Sequence, residues 1–263
     1  MILQRLSKAI REQNWFAVAL EFVIVIAGVV IGFQITEWRA HEARVVQATN
    51  MTQNLIEDLR DEEWRIRATR NYLRDVVLAG ETALAGIAGE REMSDETLVI
   101  NGFRASQYFY SGIIRSTYDE LVAKGDINLL ENNALREAAI EYYNSSTSGL
   151  ATEIDANTPY RNTLRQLIDP ELHRALVRVC SEGSGVGIGN EAGIVDILSF
   201  ECSIDGYDAE IALMAAQLRE NDALIRALRW RVNEADQQHS SMEYYFDLLR
   251  TALTHGDDSE MTP

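Results

Sequence analysis

Cys180 and Cys202 are the only thiols in this 263-residue chain, and His41, His173, His239 and His255 are its only imidazoles. Two thiolates supply half of a tetrahedral metal site, and no histidine stands at ligand spacing from either, so metal binding is the poorer reading. In an oxidising compartment the pair is expected to be a disulfide. Between them runs CSEGSGVGIGNEAGIVDILSFEC, with glycines at 183, 185, 187 and 189. A dinucleotide loop would need glycine at 188 or 190, where Ile188 and Asn190 stand, and no lysine is placed for a phosphate loop. The segment 180–202 reads as a surface excursion with a small hairpin around Gly189-Asn190. Closing it by a disulfide is worth about 3 kcal/mol by loop entropy. No Ser-His-Asp, Cys-His or metal signature has suitable local spacing. The abundant carboxylates read as an acidic surface rather than a general-acid pair. The expectation is therefore no enzyme, no cofactor and no metal site.

Two further sets of residues could form sites. Tyr108, Phe109, Tyr110, Tyr118, Tyr142 and Tyr143 concentrate aromatic rings in the middle of the chain. They form either a ligand cage or, more commonly, core packing with hydroxyls satisfied locally. The second set lies near the N-terminus. Gly28 and Gly32 make a small-xxx-small pair, Glu21 projects within about 20° of both, and Ala17 extends the stripe. Either this face contacts another helix with Glu21 in the contact, or the glycines face lipid and Glu21 reaches the nearby interface.

The element that would carry this stripe is the run WFAVALEFVIVIAGVVIGFQITEW, Trp15 to Trp38. At helical rise the two tryptophans lie about 34 Å apart. That matches a hydrocarbon core of about 30 Å with an indole at each interface. The run is longer than the apolar part of a signal peptide, and no small-x-small cleavage site closes it. It is expected to remain as a membrane anchor. Arg5, Lys8 and Arg11 precede it, which places the N-terminus in the cytoplasm and the remainder outside, in the periplasm of a bacterial inner membrane. Residues 1–14 form a lead-in in which Ile2, Leu3, Leu6 and Ile10 share one side and lie on the membrane.

The net charge of the chain is −17. The lead-in and anchor contribute +1, from Arg5, Lys8 and Arg11 against Glu12 and Glu21, which leaves −18 beyond them. Such an exterior argues against nucleic-acid partners and against docking on anionic lipid. Only three prolines occur, Pro159, Pro170 and Pro263, so most of the chain is free to be helical.

The helical pattern continues past the anchor to about Ala79. Val45, Thr52, Leu59, Ile66 and Leu73 recur every seven residues, with Ile56 and Val77 in a neighbouring seam that Glu63 and Arg70 interrupt. Ser94-Asp95-Glu96 reads as a helix start. Tyr118, Leu121 and Val122 belong to a short helix ended by Gly125. Asp126 or Asn128 is placed to cap the next turn, and Leu135, Ala139 and Tyr142 define a further helix. The last element is a continuous helix of about 45 residues with two heptad rows. One row is Ile211, Leu218, Ile225, Val232, His239 and Phe246; the other is Met214, Asn221, Leu228, Ala235, Met242 and Leu249. Asn221 and His239 read as polar insertions that fix register. The fold class is all-α: a transmembrane helix (15–38) continuing into a stalk, and a helical extracytoplasmic body (39–255) closed by the C-terminal helix. Residues 256–263 form a short tail.

The span with Glu21, Gly28, Gln34 and Trp38 precedes a second pattern at Thr117, Tyr118, Glu120, Leu121, Gly125, Leu129, Asn133, Leu135, Arg136, Tyr142 and Tyr143. Together they resemble a bacterial family of single-span membrane proteins of unknown function, with an N-terminal anchor and a helical body. The likeness covers about residues 15 to 150 and implies topology without any catalytic residue. The 180–202 excursion is not part of it. The functional expectation is a membrane-anchored structural or interaction protein. It would be a homo-oligomer or an accessory subunit of an envelope complex, with lipid and itself or another membrane protein as partners. An extracytoplasmic sensor using the tyrosines is the alternative.

Overall fold

The computed structural model describes residues 15–108, 113–145, 157–181, 198 and 200–260, with side chains placed from 19 to 256. All regular structure among them is helical, apart from turns. The chain divides into two compact units, Met1–Thr52 and Gln53–Pro263, so residues 39 to 52 group with the anchor. One helix, α1 (Trp15–Ile87), supplies backbone to both.

In the N-terminal unit, large apolar side chains from Leu20 to Ile35 are 46–68% exposed. This is the one described helix segment long and apolar enough to cross a membrane. At its end the Thr36 hydroxyl donates to the Gly32 carbonyl one turn earlier, at 2.9 Å. The expected lead-in, 1–14, lies outside the described residues.

The second unit is a bundle. After α1 come α2 (Asp95–Ala105), α3 (Ser116–Lys124), a 3₁₀ turn (Ile127–Leu129) and α4 (Asn133–Asn144). Then follow α5 (Pro159–Leu167), α6 (Pro170–Cys180), α7 (Asp208–Glu220) and α8 (Asp222–Glu260). Local chemistry sets most of these starts. The Ser94 hydroxyl accepts from Thr97 N, opening α2. Thr158 and Asp169 cap α5 and α6, each followed by proline at the first helical position, where a missing N–H costs nothing. Gly125 stops α3 in the left-handed conformation at φ 73°, which a residue with a β-carbon adopts only under strain. Of the expected caps of the next turn, Asp126 stands at the N-cap of the 3₁₀ turn without a side-chain cap bond; α4 is capped by Asn132, whose side chain accepts from Leu135 N at 3.1 Å.

Within this unit α8 packs on α4 and α5, while α2 packs on α6 and α7. Leu98, Phe103, Tyr160, Leu172, Leu176 and Leu228 are among the fully covered residues of the resulting core. Burying each such side chain contributes about 1.5–3 kcal/mol. Helix α1 runs through Gly80 and Gly86 rather than weakening at Ala79. Gly80 is there for space: a β-carbon on it would collide with Val232 of α8. Gly256 stands likewise against Ile56, with an added β-carbon only 3.1 Å from Cγ1.

Both expected seams need adjustment. In α1 Leu59, Ile66, Leu73 and Ile56 are buried as expected, whereas Val45 is exposed and Val77 half-buried; a further buried row, Leu55, Glu62, Thr69 and Val76, lies one residue before the second expected seam. In α8 the row Leu228, Ala235, Met242 and Leu249 is buried as expected. A further buried row is Leu224, Arg231, Gln238 and Tyr245; of the expected companion positions Val232 is buried, while Ile225, His239 and Phe246 are half-buried. The 45-residue helix is also interrupted. Asn221 adopts an extended backbone (φ −87°, ψ 97°) between α7 and α8, and its side chain accepts from Ala223 N and Leu224 N. It is a cap, not a register residue in a seam. Helix α8 reaches Glu260, into the segment 256–263 expected as a tail.

Candidate functional site

The densest polar constellation of the body is built around Glu62, whose side chain is wholly buried. Arg65, one turn later on α1, donates Nε to Oε1 and Nη2 to Oε2, both at 2.8 Å. The Ile114 N–H reaches Oε1 at 2.6 Å, and the Tyr142 hydroxyl of α4 donates to Oε2. Four donors therefore occupy the carboxylate, in the bidentate form in which guanidinium and carboxylate fit best. Burial works against the Arg65 charge, but the bond and charge of Glu62 outweigh it and hold the guanidinium above its ordinary pKa. Asp58, one turn earlier, accepts from Ser116 Oγ at 3.1 Å and Thr117 N at 2.9 Å. It thus caps α3 from another helix, where the helix dipole favours an anion.

Three of the tyrosines singled out above belong to this constellation. Tyr118, Tyr142 and Tyr143 are 4%, 2% and 3% exposed. Tyr118 stacks on Tyr143 at 4.6 Å, and Tyr142 meets Tyr143 edge-on at 5.0 Å. The Tyr143 hydroxyl donates to Ile114 O at 3.1 Å. Burial first, then Glu62, push the phenols of Tyr142 and Tyr143 far above their ordinary range, so both stay neutral. The rings close on one another and leave no cage. Tyr108 stands apart, with the Arg161 guanidinium 4.5 Å from its ring, and Tyr110 lies outside the described residues.

A second polar cluster terminates α2. Arg231, 1% exposed, donates to Ala105 O at 3.3 Å and Gln107 O at 3.1 Å. Arg161 donates to Ser106 O at 2.8 Å. Two guanidiniums from α8 and α5 thus satisfy carbonyls that the helix end leaves open, at its negative pole. Local sequence gives no sign of either, because each partner lies 55 or more residues away.

Cys180 and Cys202 are joined in a disulfide with Cα atoms 5.5 Å apart, as expected. Arg104 packs beside it, its Nη2 3.4 Å from Cys202 Sγ and its guanidinium 4.9 Å from the Phe200 ring. The expected hairpin at Gly189-Asn190 lies outside the described residues. Among the described residues no group of three or more His, Cys, Asp or Glu is arranged to hold a metal ion. In the N-terminal unit, β-carbons added at Gly28 and Gly32 would meet nothing within 4 Å among the described residues. The side chain of Ala17 is not among those described, and Glu21 is exposed.

These arrangements hold helices together. The Glu62 oxygens and the buried phenols are committed to internal partners and leave no unengaged base or nucleophile among themselves. Comparison of the chain with protein-family models, with curated proteins and with solved structures gives no match.

Proposed function

We propose that this protein is a single-pass, membrane-anchored structural or interaction protein, a homo-oligomer or an accessory subunit of an envelope membrane complex. The body lies on the extracytoplasmic side of a bacterial inner membrane, with the N-terminus in the cytoplasm. The likeness to the single-span family belongs with this reading. The observation that carries it is the contrast among glycines. Gly80 and Gly256 are filled by side chains of their own chain, while Gly28 and Gly32 face open space amid exposed apolar residues. Lipid tails are as apolar as leucine, so only close approach and polar contact would bring a second helix to that face. Glu21 gains from either over lipid.

Purification of the full chain in a mild detergent, with mass analysis of the particle, tests the proposal. A stoichiometric oligomer or partner is expected, and Gly28→Ile/Gly32→Ile should abolish it while membrane insertion persists. A monomer in the parent protein, or unchanged assembly in the variant, would refute helix contact through this stripe. Ligand binding by the tyrosines has less support, since Tyr118, Tyr142 and Tyr143 are closed in the core.

A further inference from the structure

The bond between Cys180 and Cys202 is unequal at its two ends. Cys180, the last residue of α6, is fully buried, whereas Cys202 is half-buried. Cys202 lines a cleft of about 530 Å³ with Ile100, Asn101 and Arg104 of α2 and with Phe200 and Glu201; Cys180 is not among its described lining residues. An incoming group therefore meets the Cys202 end first. Against that sulfur stands the Arg104 guanidinium, its Nη2 3.4 Å from Sγ. The same Nη2 donates to the Phe200 carbonyl, while the buried Nε has no hydrogen-bond partner among the described residues. Arg104 makes no salt bridge among them either. Asp75 of α1 attracts it from further off, and its carboxylate is engaged by Arg74 and the Leu198 N–H. Glu96 is taken up by Ser203 Oγ and the Ile204 N–H, and Glu201 is exposed, so Arg104 supplies the charge in contact with the sulfur. A disulfide sulfur is a weak acceptor and returns little to a cation that burial has partly stripped of water. A thiolate at the same place would be a full counter-charge, and neighbouring arginine is what stabilises thiolates.

We propose that the Cys180–Cys202 bond is open to exchange with a low-molecular-weight thiol, Cys202 being the sulfur attacked and Arg104 the cation that holds its thiolate once the bond is broken. A thiolate RS⁻ attacks Cys202 Sγ along the cleft; the bond to Cys180 breaks, and Cys180 leaves with the electron pair and takes the proton that the first thiol gave up. A second RS⁻ attacks the R sulfur of the mixed disulfide. RSSR departs, Cys202 keeps the electron pair as a thiolate against Arg104, and the second thiol's proton goes to solvent. Two electrons thus pass from two thiols, oxidised to RSSR, to the protein disulfide. The cleft volume falls within the range of small-molecule sites, about 300–1,000 Å³, and so admits a compact thiol. The exchange is independent of whether the membrane span self-associates.

Treating the oxidised full chain in mild detergent with reduced glutathione, quenching with N-ethylmaleimide and mapping adducts by mass spectrometry tests the order of attack. Glutathione on Cys202 and maleimide on Cys180 are expected. The reverse pattern, or a bond that glutathione opens only after the chain is unfolded in urea, would overturn the proposal. Alkylation of the reduced chain with iodoacetamide across pH tests Arg104 as a positioning residue. The midpoint at Cys202 is expected at least about one unit below the ordinary thiol value of about 8.5. Arg104→Gln should return it to about that value, and Arg104→Lys, which keeps the charge, should hold it low. An ordinary midpoint in the parent protein, or a low one retained in a folded Arg104→Gln variant, would also overturn it.

Discussion

Glu62 is held by partners that no short stretch of sequence reveals. It stands in a run of acids, Glu57, Asp58, Asp61, Glu62 and Glu63, in which only Glu62 is wholly buried. What separates it is its place seven residues from Leu55 and from Thr69, a row visible once the seam is moved by one. Removing one member of a buried pair leaves the other charge uncompensated. Arg65→Met is expected to destabilise the body by about 3–5 kcal/mol, and Tyr142→Phe by about 1–3 kcal/mol, in urea denaturation. A titration effect belongs to His173, half-buried on α6 with Phe103 edge-on at 5.9 Å. Burial, then the charges of Arg165, Arg161 and Arg174, lower its pKa below the ordinary value. A lowered histidine binds its proton more readily in the unfolded chain, so stability falls as pH drops from about 6.5 through the folded value. Thermal midpoints taken across that window should decline, and His173→Gln should flatten the decline; an equal slope in both proteins would exclude this residue as its source.

At the scale of elements, the all-helical class and the boundaries at Ser94 and Gly125 were legible because their signals are local, whereas α5 and α6 were not anticipated and α7 and α8 were expected as one helix. Ser94, Thr158-Pro159, Asp169-Pro170 and Gly125 mark boundaries by their own hydrogen bonds or backbone. In α8 apolarity finds Val232, which is buried, with Ile225 and Phe246, which are half-buried, and misses the buried row that contains Arg231 and Gln238. Arg231 is accommodated by the Ala105 and Gln107 carbonyls of a distant segment, and the Gln238 amide donates to the Glu234 carboxylate one turn earlier at 3.3 Å. The break at Asn221 did have a local sign, an asparagine before an acidic first turn, which a long heptad masks. Asn221→Ala should cost about 1 kcal/mol through the lost cap, measured as a shift in thermal midpoint. Cys180→Ser/Cys202→Ser should cost about 3 kcal/mol, matched by adding reductant to the parent protein. A variant as stable as the parent would mean that the reduced chain keeps the ends of the 180–202 segment together without the bond.

The whole molecule combines two surfaces of opposite kind. Apolar side chains from Leu20 to Ile35 are exposed in one continuous run, whereas the body buries a core and exposes only scattered apolar residues such as Val122 and Leu213 on an acidic exterior. Each surface suits a different solvent. A chain that begins at Gln53 is expected to remain monodisperse in water and keep its helical circular dichroism, while the full chain needs detergent. Aggregation of the shortened chain would show that residues 39–52 are required to complete the body.

Burial of polar groups by late segments sets a schedule for the growing chain. Tyr142, which closes the Glu62 carboxylate, lies 80 residues after it, and Arg231 follows Ala105 by 126. Chains lengthen at about 5–20 residues per second, so Glu62 waits roughly 4–16 s for its phenol. A helix forms in about a microsecond. Helix α1 therefore exists long before anything covers Leu55, Leu59, Ile66 and Leu73, and that stripe is open to holding factors throughout the interval. A nascent chain halted between residues 142 and 231 would have its first polar lock within reach and the end of α2 still without the guanidinium of α8.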